Sequence, residues 1–373
     1  MRLLRVALLL AVPAALSAQK RAITFDDYIN LPVVSDPQLS PAGEWVAYTV
    51  STPSLKENRG IARVWLANLT SGETRQLTQG PGSDRSPRWS PDGKTLAFIS
   101  TRQGGPQIWV LGLAGGEARK LTSIEDGVGE IYWKPDGSGL LAVVDVKWPA
   151  EQEIDRRNGD YPTDARIWTE LFYRHWDDFR VGHRQHVFSV DLASGAATDL
   201  TPVDHDVPTI ATGGDGDVAI APDGKEIAVA MHGDEVVATN TNVDIFVMDA
   251  AGGALRNVTP AAKGAENTPR YSPDGKWLSY LSMERPGFES DRQRLMLMPR
   301  AGGGGGGGGG GATVEATAGW TLSVGGYTWC PDAKCVYAVV EERGRINLYR
   351  IDLPSFHRTA VVTGGVNTSP NVA

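Results

Sequence analysis

The chain has 373 residues, 41% of them hydrophobic and 21% charged, which suits a globular protein with a large buried core rather than a disordered chain. Its 36 basic and 44 acidic residues give a net charge of −8, and no basic run interleaves with aromatics, which argues against a nucleic-acid partner.

The N-terminus reads as a leader rather than as part of the fold. Arg2 and Arg5 precede an apolar run from Val6 to Leu16, with the small residues Ser17 and Ala18 behind it. That is the layout of a cleavable signal peptide over residues 1–18, too short to favour a membrane span. The expected compartment is therefore periplasmic or extracellular, with no membrane span elsewhere. Residues 19–37 form a lead-in, in which Phe25-Asp-Asp-Tyr28 predicts a short helix or turn.

From residue 38 to 373 the chain is built on one phrase. It stands in full as Tyr271-Ser-Pro-Asp-Gly-Lys-Trp-Leu-Ser-Tyr280: an aromatic, Ser, a Pro-Asp-Gly-Lys turn, then an alternating apolar run. Proline fixes its own φ, Asp bonds neighbouring backbone and Gly supplies a positive φ, so the phrase predicts a tight turn between two short strands. It recurs at Leu39-Ser-Pro-Ala-Gly-Glu44, Trp89-Ser-Pro-Asp-Gly-Lys94, Trp133-Lys-Pro-Asp-Gly-Ser138, Ile220-Ala-Pro-Asp-Gly-Lys225 and Trp329-Cys-Pro-Asp-Ala-Lys334. Prolines 41, 91, 135, 222, 273 and 331 lie 50, 44, 87, 51 and 58 residues apart. A strand-turn-strand repeat near this period predicts an all-β fold, a β-propeller with six legible four-stranded blades.

The second half of each blade is also legible. Val64-Trp-Leu-Ala, Ile108-Trp-Val-Leu, Val187-Phe-Ser-Val and Ile245-Phe-Val-Met each precede a Gly turn and an exit strand ending at Thr78, Thr122, Thr201 or Thr259. Alternation of this kind indicates half-buried antiparallel strands. A fifth copy begins at Leu295 and a sixth at Leu348.

Three stretches interrupt the pattern. A polar insertion at about 146–185 in the third blade accounts for the 87-residue interval, and His232 to Asn242 is a shorter loop of the same kind. The decaglycine 302–311 reads as an expanded surface loop, since no strand leads into a helix there and no Lys-Ser/Thr follows to make a phosphate cradle. Cys330 and Cys335 flank the last Pro-Asp turn, where they can face each other and bridge in an exported protein; the alternative is two small residues that never bond. After the sixth blade, Val361 to Ala373 is the approach to one more Pro-Asp-Gly turn that does not arrive. Either six blades close the circle or a seventh has begun, because a propeller must pair its last blade with its first to remove exposed edges.

Catalytic motifs are missing from the sequence. There is no Gly-x-Ser-x-Gly elbow, no His-Glu-x-x-His and no clustered Cys/His spacing, and the six histidines are scattered, so no catalytic residue, metal or cofactor is expected. The candidate binding residues lie in the third-blade insertion: Glu170, Tyr173, Arg174, His175, Trp176 and Asp178, with Asp177 among them. Charged groups beside aromatics on a propeller rim can hold a peptide terminus by ion pairs and hydrogen bonds. The competing reading has Tyr173 and Trp176 packing the insertion down while the charges stay solvated.

Several phrases resemble one family. Phe25-Asp-Asp-Tyr28, Asp36-Pro-Gln-Leu-Ser-Pro41 and the Ser-Pro-Asp-Gly-Lys hairpins resemble the N-terminal propeller of prolyl oligopeptidase family serine peptidases. Tyr173-Arg-His-Trp-Asp-Asp178, His186-Val-Phe-Ser-Val-Asp191, Thr241-Asn-Val-Asp-Ile-Phe246 and Met283-Glu-Arg-Pro-Gly-Phe-Glu-Ser-Asp-Arg292 are similar to its acylaminoacyl-peptidase and dipeptidyl-peptidase branch. The hairpin alone is shared with TolB-like propellers. The resemblance implies a propeller that caps an α/β-hydrolase domain carrying a Ser-Asp-His triad and admits only short peptides. That hydrolase domain is absent from these 373 residues, so this chain is expected to be inactive alone and to meet peptides through a C-terminal or separate hydrolase domain. The rival expectation is a standalone TolB-like scaffold without enzymatic activity.

Overall fold

The computed structural model describes residues 21–148, 171, 174–175, 178–179, 182–210, 216–234, 237–300 and 312–372. The leader 1–18 and the decaglycine lie outside the described residues. Six four-stranded antiparallel sheets follow one another at 33–76, 84–120, 130–199, 218–257, 266–315 and 324–362, numbered here as blades 1 to 6. Inside each sheet the strands keep chain order from the innermost outward, as the repeat predicts. Phe25–Ile29 is a one-turn helix whose Thr24 and Asp27 cap each other reciprocally, ahead of blade 1.

The repeat phrase owes its residues to a small hydrogen-bond network. Ser90 Oγ donates to Asp92 Oδ1 at 2.6 Å and accepts from the Thr95 amide at 2.9 Å, and Asp92 also accepts from the Lys94 amide at 3.0 Å. Ser272, Asp274, Lys276 and Trp277 repeat the arrangement at 2.6, 3.2 and 3.0 Å. These bonds hold the Asp92 carboxyl below its ordinary range, the Ser90 hydroxyl first among them. Glycine takes the left-handed position, φ 69° at both Gly93 and Gly275; in the last copy Ala333 is held there at φ 56°.

In blades 1 to 5 the threonine just after the exit strand is a clamp. Thr78, Thr122, Thr201, Thr259 and Thr317 accept through Oγ1 from the amides of Val64, Ile108, Val187, Ile245 and Leu295 at 2.9–3.1 Å. All five threonines are buried, so each hydroxyl ties the outer strand of its sheet back to the third.

The core is divided between the blades. Five buried clusters lie between blades 1 and 2, 2 and 3, 3 and 4, 4 and 5, and 5 and 6. Leu96 and Phe98 of blade 2 pack toward blade 1, while Ala97 and Ile99 on the alternate positions pack toward blade 3. Every central strand is therefore apolar on both faces.

Loops between second and third strands are long in blades 3, 4 and 5. In blade 3, Gly139–Lys147 pairs with His183–Asp191 as far as Lys147 opposite His183, so the outermost residues of the expected insertion belong to the ladder. In blade 4 the strands end at His232 and resume at Val243, as the sequence indicates. Cys330 and Cys335 are joined by a disulfide across the last turn, Cα atoms 5.2 Å apart.

Candidate functional site

The innermost strands of all six blades line one central channel enclosing about 1470 Å³. Short inner strands leave alternate side chains pointing at the axis, so the channel is lined by residues just before each turn. Blades 1 to 3 contribute Asp36, Arg85, Arg88 and Glu130, and blade 5 contributes Arg270.

Arg88 pairs with Asp36 across the junction of blades 1 and 2 at 2.7 Å, with both side chains about three-quarters covered. Arg85 has no carboxylate in hydrogen-bond contact among the described residues; its Nη1 donates to Ser86 Oγ at 3.3 Å and to the Gly129 carbonyl at 3.2 Å. Burial lowers the pKa of that guanidinium, against the pull of the Glu130 and Asp36 charges. Arg270 donates to the carbonyls of Gly216 and Pro269, closing on Gly216 so tightly that a side chain there would strike its guanidinium. Tyr132 donates to Glu130, and its phenol is pushed well up by burial and by that carboxylate. Three arginines against two carboxylates make these five side chains net cationic, which suits anionic or carbonyl-rich groups such as a peptide backbone and its carboxylate.

The insertion is anchored beside this channel. Gln185, in the strand that returns from it, lines the channel wall. Arg174 and His175 pair in a hairpin with Asp178 and Phe179, Arg174 opposite Phe179 and His175 opposite Asp178. Arg174 is exposed. Glu170, Tyr173 and Trp176 lie outside the described residues, and His175 and Asp178 are described through their backbone alone. The hairpin thus brings Arg174, His175 and Asp178 into one short ribbon.

The channel arginines escaped the sequence reading, although a signal existed. Ser86-Pro87-Arg88-Trp89 and Thr268-Pro269-Arg270-Tyr271 repeat an X-Pro-Arg-aromatic string directly ahead of the Ser-Pro-Asp turn. One His-Asp pair occurs among the described residues: His186 Nδ1 lies 2.7 Å from Asp199 Oδ2. Its Nε2 is occupied 2.9 Å from the Val203 carbonyl, and the ring is buried, so this pair serves the fold of blade 3. The disulfide likewise consumes both sulfurs of Cys330 and Cys335.

Six sheets about a lined axis define a β-propeller. The TolB β-propeller model matches residues 17–164. Dipeptidyl-peptidase 5 of Porphyromonas gingivalis is 31% identical over 347 residues, covering 91% of this chain and 49% of the relative. Its counterpart in Porphyromonas endodontalis is 31% identical over 292 residues, covering 77% of this chain and 42% of the relative. Among solved structures, Pyrococcus horikoshii acylaminoacyl peptidase superposes with a TM-score of 0.64 at 18% identity, covering 90% of this chain and 47% of that one. The β-propeller domain of the Trilobed protease from Pyrococcus furiosus, described as having an open velcro topology, does so at 0.57 and 18% over 90% of this chain and 85% of that one. The chain's sequence relatives are thus dipeptidyl-peptidases, and its fold matches the propeller of such peptidases. It spans about half the length of the curated relatives it matches.

Proposed function

We propose that this chain is the substrate-gating propeller of an exported serine exopeptidase that acts on short peptides, working with a C-terminal or separate α/β-hydrolase domain. The observation that carries the reading is the match to dipeptidyl-peptidase 5 along 91% of the chain. The channel supports it: a lined axial passage lets an extended peptide approach a hydrolase at one mouth while a folded protein is kept out. In the complete enzyme the serine would attack the peptide carbonyl with help from His and Asp, through an acyl-enzyme. Arg85 and Arg270 would guide the peptide along the axis, and the insertion residues Glu170, Tyr173, Arg174, His175, Trp176 and Asp178 would meet its terminus. The apolar leader at 1–18, headed by Arg2 and Arg5, and the Cys330–Cys335 bridge support export. No helix among the described residues is long and apolar enough to cross a membrane.

The test is a chimera in which this chain replaces the propeller of the P. gingivalis relative. Cleavage of dipeptidyl chromogenic substrates, with intact folded proteins spared, is the expected result. A folded chimera that degrades folded proteins as readily as dipeptides would overturn gating. A second reading, a standalone scaffold propeller, draws on the TolB-type match over residues 17–164. It expects the chain purified from its source cells to carry partners but no serine hydrolase.

A further inference from the structure

The Nε–H of an arginine and one N–H of its Nη2 point the same way and make a fork that matches a carboxylate. Outside the channel this protein uses that fork. Arg59 gives it to Glu57 at 3.0 and 2.7 Å, and Arg285 gives it to Asp291 at 3.1 and 2.8 Å. Arg300 spreads it over Glu226 at 3.0 Å and Asp223 at 3.2 Å, and Arg102 over Ser100 at 2.9 Å and Asp84 at 2.7 Å.

The channel arginines do the opposite. Arg85, Arg88 and Arg270 make all their hydrogen bonds to described residues through Nη1: Arg85 to Ser86 and Gly129, Arg88 to Asp36 and the Pro87 carbonyl, Arg270 to the carbonyls of Gly216 and Pro269. Among the described residues no acceptor takes the Nε–Nη2 fork of any of the three, and Arg85 and Arg270 contact no carboxylate. The acids lining the channel beside them are already engaged: Asp36 accepts from Gln38 and from Arg88, each at 2.7 Å, and Glu130 accepts from Tyr132. Arg85 feels the Glu130 charge, and Tyr132 feels Glu130, Arg270 and Arg88, so the three guanidiniums share one stretch of wall. All three side chains are half-buried. Covering a guanidinium without a counter-ion costs free energy that a bound anion returns. The Nη1 bonds meanwhile fix where each guanidinium sits and so pre-organise its free fork.

We propose that Arg85 and Arg270 are carboxylate-binding residues of the channel wall, each taking the group bidentately through its Nε–Nη2 fork, with Arg88 keeping the wall between them cationic. The ligand class is a peptide that bears a free carboxylate, at its C-terminus or on an acidic side chain. This rests on the reading of the channel as a peptide passage and narrows it to a substrate class. The end of the peptide that trails from the hydrolase is held on the wall by its charge. An amidated peptide offers no such group at its end, so the site separates free peptides from capped ones of the same length.

The test is titration calorimetry of the full chain with an alanine tetrapeptide carrying a free C-terminus, the same peptide amidated, and an amidated version containing one glutamate. The free acid is expected to bind about tenfold more tightly than the amide. Most of that ratio should be lost in Arg85→Gln and in Arg270→Gln and kept in Arg59→Gln, whose fork already holds Glu57. The glutamate amide separates the two sources: tight binding opens the site to any peptide carboxylate, and weak binding reserves it for the C-terminus. Equal affinity for acid and amide, no binding of either, or a ratio that survives both channel substitutions would overturn the site. Should the variants misfold, the unsubstituted chain still decides, because acetate is expected to compete with the free acid and failure to compete would overturn the site. The result stands apart from the chimera. A carboxylate preference in a chain whose chimera does not gate refutes gating alone, and a gating chimera without that preference refutes the site alone.

Discussion

The indole Nε1 of Trp133 donates to the backbone carbonyl of Arg88, 2.9 Å away and one blade back. Trp89 does the same to Gln38 at 2.9 Å, and Trp329 reaches Ser279 Oγ at 2.9 Å. Trp89 and Trp133 are thus ties between neighbouring inner strands, which form the channel wall, and Trp329 ties its strand to the second strand of the blade before it. Trp133→Phe keeps the apolar contact and removes the tie. A loss of about 1 kcal/mol is expected for one such bond, measured by denaturant unfolding.

Thr122 offers a sharper case. Its buried hydroxyl accepts from the Ile108 amide and donates to Gln107 Oε1 at 2.8 Å. Thr122→Val keeps the volume and removes both bonds inside the sheet, with an expected loss of about 1–3 kcal/mol. Thr122→Ser should recover most of it. Equal stability of all three proteins would refute the clamp.

Glu266 makes stability depend on pH. Burial pushes its carboxyl up to about 7; the Ser282 hydroxyl, which donates to Oε1 at 2.8 Å, and the Arg294 charge pull it down, and the Asp244 carboxylate adds to the rise. A raised acid favours its protonated form in the fold, while the unfolded chain ionises at the ordinary value of 4.5. Stability is therefore expected to fall as pH rises from about 4.5 to about 7 and to level off above, a swing of roughly 3 kcal/mol from this group. Glu266→Gln should remove that slope, stabilising the protein at pH ~8 and changing little at pH ~4. Unfolding curves across the range will show whether the slope vanishes.

The Cys330–Cys335 bridge closes a loop of only six residues, which by chain entropy contributes about 2 kcal/mol. Reduction should shift the unfolding midpoint slightly and leave the far-ultraviolet spectrum unchanged. Collapse of the fold on reduction would mean that the Ala333 turn depends on the bridge far more than its length implies.

In the chimera with the P. gingivalis hydrolase, Arg85→Ala and Arg270→Ala are expected to raise KM for dipeptidyl substrates several-fold with kcat little changed. Both line the channel, and on the proposed gating role they act on the approach of the peptide rather than on the reacting carbonyl. A fall in kcat at constant KM would place them elsewhere in the mechanism.

Much of this was legible because propeller turns are local chemistry. Ser90, Asp92, Gly93 and Trp89 each satisfy a bond within a few residues or one blade, so their spacing shows in the sequence. The exit threonines are legible for the same reason, always near the end of the outer strand. The channel was not legible, because Arg85, Arg88 and Arg270 converge only when blades far apart in sequence curl around one axis. Nor was the cover on blade 1: the alternation at Tyr48 and Trp65 is the same as at Phe98 and Trp109, and only the folded ring reveals which pair stays partly exposed. The insertion residues were singled out by composition and by the resemblance of the Tyr173–Asp178 phrase, and the described hairpin unites just Arg174, His175 and Asp178.

The central claim is that this propeller serves a serine peptidase, and the most direct measurement is capture of the native protein from its source cells. The captured material would be treated with a fluorophosphonate probe and assayed on dipeptidyl chromogenic substrates. The account predicts substrate turnover and a labelled serine hydrolase, either in the captured chain or in a partner held with it. Captured propeller with neither turnover nor label would contradict it.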